Sequence, residues 1–493
     1  MDVINKLNII EQNKNWNDIK EIISTREFPK NEKGKKDRKV LAKLGDILLK
    51  EKNLPVDIKV LILKCFTFSC SRETQYQHKS IKISNDNLYA EISSSGFSPS
   101  YPESSFPFEP ITKYVIDYLA TWTTSYPIPD DEVPVIKECL SFLCNLFAYD
   151  EQDLIDESYR RKLINVGNLL SFDCAKYPII MSRVCCLIHN ILNIWYNNFT
   201  DEDIATFTQG LLKADECGVK SARDAIIILL NKYNSFHAYE TLTIDLKLYL
   251  LEFIYKYVKS DLDLVSDPSE DPGSSKVQLP KNWISFLINR FKERSNLILK
   301  TEDTYVKEQM QEPSEVIILL DILCALSSAE QAEEIRSDTS LLINSVYLLR
   351  AVHMAGKDKN NFFTPVQKLS QVAPAGKNSR EESIEDHVAF GFKSSLIRLI
   401  ANMVYKKRKN QDLVRELDGI SILLDCCNID ARNPLITQWC ILAIRNLCDN
   451  NSKNKEFISS STKIRFIDNQ VIREMGITLT EDGNPIGIVP LPD

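Results

Sequence analysis

One phrase recurs along this chain at a spacing of forty-odd residues, and that spacing limits the fold more than any other feature. LITQWCILAIRNLCDNN carries Asn446 near the end of its apolar run, and SSLIRLIANMVYKKRKN carries Asn402, 44 residues earlier. Towards the other end, VIKECLSFLCNLFAYD carries Asn145 and MSRVCCLIHNILNIWYNN carries Asn190, 45 residues on. In the last copy Ile436, Cys440, Ala443, Ile444 and Leu447 fall at steps of four, three, one and three, an apolar stripe at helical period. Leu396, Ile400, Met403 and Val404 repeat that stripe upstream. Ile441 and Leu442 add apolar surface off the stripe, so this helix meets neighbours on more than one side. A unit of this length with two or three helices has the armadillo or HEAT period. Such a unit cannot bury its own apolar face, so it stacks on the next.

The expected fold is therefore all-α, an armadillo/HEAT-like α-solenoid wound as a right-handed superhelix. Further stretches at 57–70, 222–234, 246–258, 314–328 and 340–354 carry the same helical apolar spacing. Between the two carboxy-terminal copies, LVRELDGISILLDCC reads as a short helix and then a longer one, with Gly419 at the break. Glycine supplies only 14 of 493 residues, against an average near 7%, which leaves few left-handed turns and little material for phosphate loops. Three Pro-, Ser- or Gly-bearing stretches, at 93–110, 266–280 and 355–386, read as surface insertions. The chain then divides into an amino-terminal repeat array over 1–354, a flexible insertion over 355–386, a carboxy-terminal helical domain over 387–475 and a tail over 476–493. NQVIREMGI is a candidate capping helix, and ITLTEDGNPIGIVP is either a small hairpin about Asp482-Gly483 or a disordered tail.

Several function classes lose support at this level. The net charge is −8, and the basic runs at 30–39 and 406–409 read as solvated loops or helix ends, so no nucleic-acid partner is expected. No apolar run reaches the roughly 18 to 20 residues of a membrane span, and the first residues show no signal pattern, so a soluble intracellular protein is expected. The 13 cysteines sit mostly in apolar segments, as packed thiols. Cys65/Cys70 and Cys139/Cys144 are each five steps apart, which puts the members of a pair about 140° apart around a helix. The vicinal pairs Cys185-Cys186 and Cys426-Cys427 diverge too, so no metal site is expected. His189 near Cys185 and Cys186 is a weak candidate dyad, better read as a packed histidine. No phosphate-loop, dinucleotide, zinc-protease or nucleophile-elbow phrase occurs, and neither a catalytic residue nor a cofactor is expected.

The recurring asparagines are the best site-like feature. Asn145, Asn190, Asn402 and Asn446 occupy the place where groove-binding armadillo proteins present an amide to an extended peptide backbone. The other reading, the more general role, is an Asn that ties a helix end to the adjoining turn. Importin-type grooves also carry Trp four residues before the Asn, and here those positions are Ser141, Cys186, Arg398 and Leu442. Arg398 and Arg445 are candidates for positive charge on the same surface, and Trp439 is expected to pack between helices.

The segment LVRELDGISILLDCCNIDARNPLITQWCILAIRNLCDNN resembles the carboxy-terminal domain of the ataxin-10 family, through its VREL-GI-LL-C-ID-NP helix and loop and the W-I-AIRNL helix after it. The resemblance covers roughly Phe390 to Met475 and thins over the rest. It implies a non-catalytic, armadillo-type protein-binding scaffold of the cytoplasm, often perinuclear, with roles in cell survival, neurite growth and cytokinesis. It implies as partners a heterotrimeric G-protein β subunit and the enzyme that attaches O-linked N-acetylglucosamine, and it leaves self-association into a homo-oligomer open. The alternative function is an importin-like adaptor that holds an extended basic peptide in its concave groove.

Overall fold

The computed structural model describes residues 3–24, 35–81, 108–125, 127–148, 154–195, 198–233, 235–264, 279–301, 311–328, 332–358, 361–367, 385, 387–460, 477–478 and 487–488. Most of the 93–110 and 266–280 insertions and of the candidate capping helix fall outside them. The chain forms two units, Met1–Thr241 and Leu242–Asp493.

The first unit runs through α1 (Val3–Asn13), α2 (Asn17–Ser24), α3 (Lys35–Lys50), α4 (Val56–Ile81), α5 (Phe108–Trp122), α6 (Val133–Leu146), α7 (Glu157–Val166), α8 (Pro178–Ile194), α9 (Asp201–Glu216), α10 (Lys220–Lys232) and the single turn α11 (Phe236–Tyr239). Local chemistry sets the starts. Asp156 accepts from Tyr159 N to begin α7. Thr200 and Asp203 cap α9 reciprocally, and the acids Asp201, Glu202 and Asp203 suit its positive end. Helices α4, α6, α8 and α10 lie one on the next, and the remaining helices form a second layer on them. Between α4 and α6 the rings of Phe66 and Phe142, both fully buried, meet edge to face with centroids 6.2 Å apart. Each such side chain contributes about 1.5–3 kcal/mol of burial, so the stacking seam carries much of the stability.

The second unit repeats the plan. Its helices are α12 (Ile244–Leu264), α13 (Lys281–Arg294), α14 (Gln311–Ser328), α15 (Ala332–Ser337), α16 (Thr339–Asp358), α17 (Phe392–Val404), α18 (Arg408–Glu416), α19 (Gly419–Asp425), α20 (Ile436–Cys448) and α21 (Ser452–Ser460). Here α12, α14, α17 and α20 stack in sequence. Ser452–Ser460 packs on α20 and on α18. The break before Gly419 is present, but the left-handed residue is Asp418, at φ 55°, and the first of the two helices is the longer. Short antiparallel strands β1 (Ile477–Thr478) and β2 (Gly487–Ile488) pair Ile477 with Ile488 and Thr478 with Gly487, and the expected turn at Asp482-Gly483 lies outside the described residues. They are a small addition to an otherwise helical fold.

The domain plan differs from the one read in the sequence in two respects. The division falls after Thr241, inside the expected array over 1–354, and not at the 355–386 insertion. That insertion also begins late. Its first residues complete α16, and 361–367 is a fixed segment. Arg432 Nη1 donates to the carbonyls of Asn361, Phe362 and Thr364 at 2.6, 3.1 and 2.7 Å. Asp430 accepts from Val366 N, Ala431 N donates to Val366 O, and Lys393 Nζ reaches Phe363 O. Helix α16 packs on α17, so the insertion lies within one repeat and does not separate two domains. Composition marked a polar loop, and what fixes its first part is a cation 70 residues away.

Candidate functional site

Each of the four asparagines reaches across to the helix before its own in the stack. Asn145 Nδ2 donates to Thr67 O at 3.1 Å, Asn190 Nδ2 to Cys144 O at 2.8 Å, and Asn446 Nδ2 to Ala401 O at 3.0 Å. Asn402 Nδ2 reaches Cys324 O at 3.5 Å and Ser327 Oγ at 2.9 Å. In the rungs of Asn190 and Asn446 the acceptor is the residue just before the equivalent asparagine of the previous helix. Two rungs also carry a return bond, from Cys144 Sγ to Arg183 O and from Cys324 Sγ to Ser395 O. These acceptors are not spare groups. At the end of α17 the Tyr405 N–H turns back to Asn402 O, three residues away, which leaves the Ala401 carbonyl to Asn446. The amide nitrogens that a groove would offer a peptide are thus engaged by the protein's own backbone.

A second set of polar residues, not anticipated from the sequence, also repeats at 44. Asn410 Nδ2 donates to Met403 O and Asn454 Nδ2 to Leu447 O, each seven residues back, where it closes the end of its own stacking helix. Gln411, only 2% exposed, donates from Nε2 to Asn446 O, and Asn451 Nδ2 donates to Gln411 Oε1. This buried network is satisfied throughout its bonds, so it fixes the register of α17, α18, α20 and α21. The N-x7-N spacing, present at both Asn402 and Asn446, is the signal that would have found it.

The open side of α17 and α20 bears the two candidate arginines. The Arg398 guanidinium lies 5.1 Å from the Trp439 ring centre, a cation–π contact that joins the two helices, and Trp439 packs as expected. Asp321 of α14 stands on the same rung. Burial holds its carboxyl above the usual range, and Ser395 and Arg398 oppose that shift. Arg445 is exposed on α20. Leu435, just before α20, and Ile441, on its outward side, are 60% and 59% exposed. Leu435 is held in the left-handed region at φ 60°, at the start of α20.

Nothing on the described residues assembles a reaction centre. His189 Nδ1 faces Asn190 Oδ1 at 3.1 Å, and burial drives the Cys185 thiol upward, away from a nucleophile. Cys65 and Cys324 are pushed up to about 12 for the same reason. Among the described residues no group of three or more His, Cys, Asp or Glu could hold a metal ion, and no helix is long and apolar enough to cross a membrane. A cleft of about 360 Å³ lies between α12, α13 and α14, but its charges answer one another: Arg290 pairs with Glu315 at 2.6 Å and Arg294 with Glu312 at 3.0 Å.

The helices that carry the Asn402 and Asn446 rungs coincide with a known domain: a family model described as the spinocerebellar ataxia type 10 protein domain matches residues 392–487. This domain is shared with the ataxin-10 proteins, to which the chain is similar. Ataxin-10 of Xenopus tropicalis is 38% identical over 198 residues, 40% of this chain and 39% of that protein. Ataxin-10 of Homo sapiens is 37% identical over 229 residues, 46% of each chain. The ataxin-10 homolog of Dictyostelium discoideum is 43% identical over 95 residues, 19% of this chain and 16% of its own. The chain thus spans less than half the length of these ataxin-10 relatives. An engineered protein of solved structure covers 85% of the chain at 14% identity with a TM-score of 0.29, too distant to bear on the fold. In ataxin-10 terms, the domain begins at the first residue of α17 and runs through the whole Asn402/Asn446 network to β2.

Proposed function

We propose that this chain is a non-catalytic protein–protein interaction scaffold of the ataxin-10 type, working through partner binding in cell survival, neurite growth or cytokinesis. The observation that carries the reading is the outward side of α20, where Leu435 and Ile441 stand largely exposed on the helix that also carries the exposed Arg445. Large apolar side chains left in water at one place favour a protein surface that excludes it. The stacked helices hold that side rigid, so little ordering entropy opposes binding. The partners proposed are a G-protein β subunit and the O-linked N-acetylglucosamine transferase, in the cytoplasm or around the nucleus. An importin-like adaptor for a basic peptide is the weaker alternative, because its amides are engaged and the neighbouring Arg398 is itself a cation.

Binding of each purified partner to the full chain, by biolayer interferometry, tests this. Leu435→Asp/Ile441→Asp is expected to weaken binding at least about tenfold, since each large side chain withdrawn from an interface centre costs on the order of 1 kcal/mol or more. Circular dichroism should stay unchanged, because both positions are exposed. Equal affinity of wild type and double variant would move the interface elsewhere, and no binding of either partner would end the proposal.

A further inference from the structure

Helix α20 keeps an apolar seat that the earlier rungs fill. Asn402 turns to α14, and Ile397, Ile400 and Val404 stand about 140–160° around α17 from it, on the side where α20 stacks. There they are 0%, 1% and 0% exposed. The same three positions relative to Asn145 and Asn190 are buried to 1% or less along α6 and α8. In α20 the equivalents, 44 residues on, are Ile441, Ile444 and Cys448. Ile441 is 59% exposed, and Ile444 and Cys448 are half-buried. They face away from α17, because Asn446 on the opposite side donates to Ala401 O. The seat thus repeats the apolar surface on which α20 itself rests, but here it stands partly in water.

The residues in register for a further stacking helix, 480–492, hold three prolines and two glycines, and β2 lies among them. The rhythm of stacking helices is broken there. A second copy of the chain offers no match either. The face that fits such a seat is an apolar stripe with a side-chain amide, as Ile436, Cys440, Ala443 and Leu447 form with Asn446, and in each copy that face is already buried. We infer that the seat receives an amphipathic helix of a different protein, an inference that rests on the partner-binding role proposed above and names the element the partner brings. Apolar residues of that helix, at steps of three and four, cover Ile441, Ile444 and Cys448. An Asn or Gln beside them donates to Arg445 O, which corresponds to the carbonyls of Cys144 and Ala401 in the rungs set by Asn190 and Asn446. The stack then continues past α20 with the kind of contact that already holds α20 on α17.

The probe is a fluorescein-labelled peptide of residues 435–450 with Cys440→Ala, Cys448→Ala and Ile441→Glu, held helical by a hydrocarbon staple between positions 438 and 445 on its outer face. It carries the face that α20 lays on α17. Fluorescence anisotropy with the full chain is expected to show saturable binding. Ile441→Asp in the full chain should weaken it at least about tenfold, with circular dichroism unchanged because that side chain is exposed. Asn446→Ala in the peptide should weaken it about fivefold, for one hydrogen bond lost. Benzoylphenylalanine at position 441 of the full chain should crosslink to the peptide under light. No binding with about 100 μM of the full chain, or equal binding by Ile441→Asp, would overturn the inference. So would a crosslink from position 441 to residues 461–476 of the same chain, or to a second copy, and not to the peptide. Partners that bind while the peptide does not would end the seat and leave the role. A peptide that binds while neither partner does would keep the seat and end the choice of partners.

Discussion

Replacing Asn446 by alanine separates the two roles an asparagine can play on this surface. The residue is 7% exposed, and its Nδ2 lies 3.0 Å from Ala401 O. The substitution removes a bond with a net value of about 1 kcal/mol and strands a carbonyl whose helical partner has already turned to Asn402, a further cost of about 1–2 kcal/mol. The expected destabilisation is about 2–3 kcal/mol. Asn402→Ala should cost only about 1 kcal/mol, because Asn402 is half-buried and water can replace part of its bond. Asn446→Asp keeps the size but sets an oxygen against Ala401 O, so it should cost at least as much as alanine. Urea unfolding followed by circular dichroism gives the energies, and amide exchange in the last turn of α17 shows where they act. Suppose Asn446→Ala cost less than about 0.5 kcal/mol and yet abolished partner binding. The asparagines would then be ligands, and the inter-helix tie would be incidental.

Two other perturbations probe the packing. Ala at Gly356 would place its Cβ 2.3 Å from Phe363 O and 2.7 Å from the Phe363 carbonyl carbon, both backbone atoms. The 361–366 segment is pinned by Arg432 and cannot withdraw cheaply, so Gly356→Ala should cost about 1–3 kcal/mol in urea unfolding and speed amide exchange there. In the first unit, burial raises the Asp203 carboxyl, but Arg161 and Thr200 together outweigh it and hold the folded value below the unfolded one. Its contribution is therefore present at neutral pH and fades as pH falls through the carboxylate range. Urea midpoints measured from pH 7 down to about 3 should fall more steeply in wild type than in Arg161→Ala, and parallel curves would contradict this.

Legibility in the sequence varies from residue to residue. The stripe of Ile436, Cys440, Ala443 and Leu447 announces α20, and all four are buried there. Asn402 and Asn446 are visible as a pair, but whether their amides turn outward or back to the stack is not. The Asn410/Asn454 pair is equally periodic and is hidden among lysines, because a polar residue in a polar turn carries no local mark of burial. The divergence of Cys426 and Cys427 follows from their adjacency.

By itself the sequence determined the helices, their apolar faces and the 44-residue rhythm, since each follows from residues within a few turns of one another. Only the tertiary structure decided which carbonyl each asparagine reaches and that Arg432 fixes 361–364. Those contacts join residues from 45 to 78 positions apart, and their geometry exists only after the stacking seam has closed. A hydrogen bond acts over about 3 Å, and no local pattern specifies what a neighbouring helix will place at that distance.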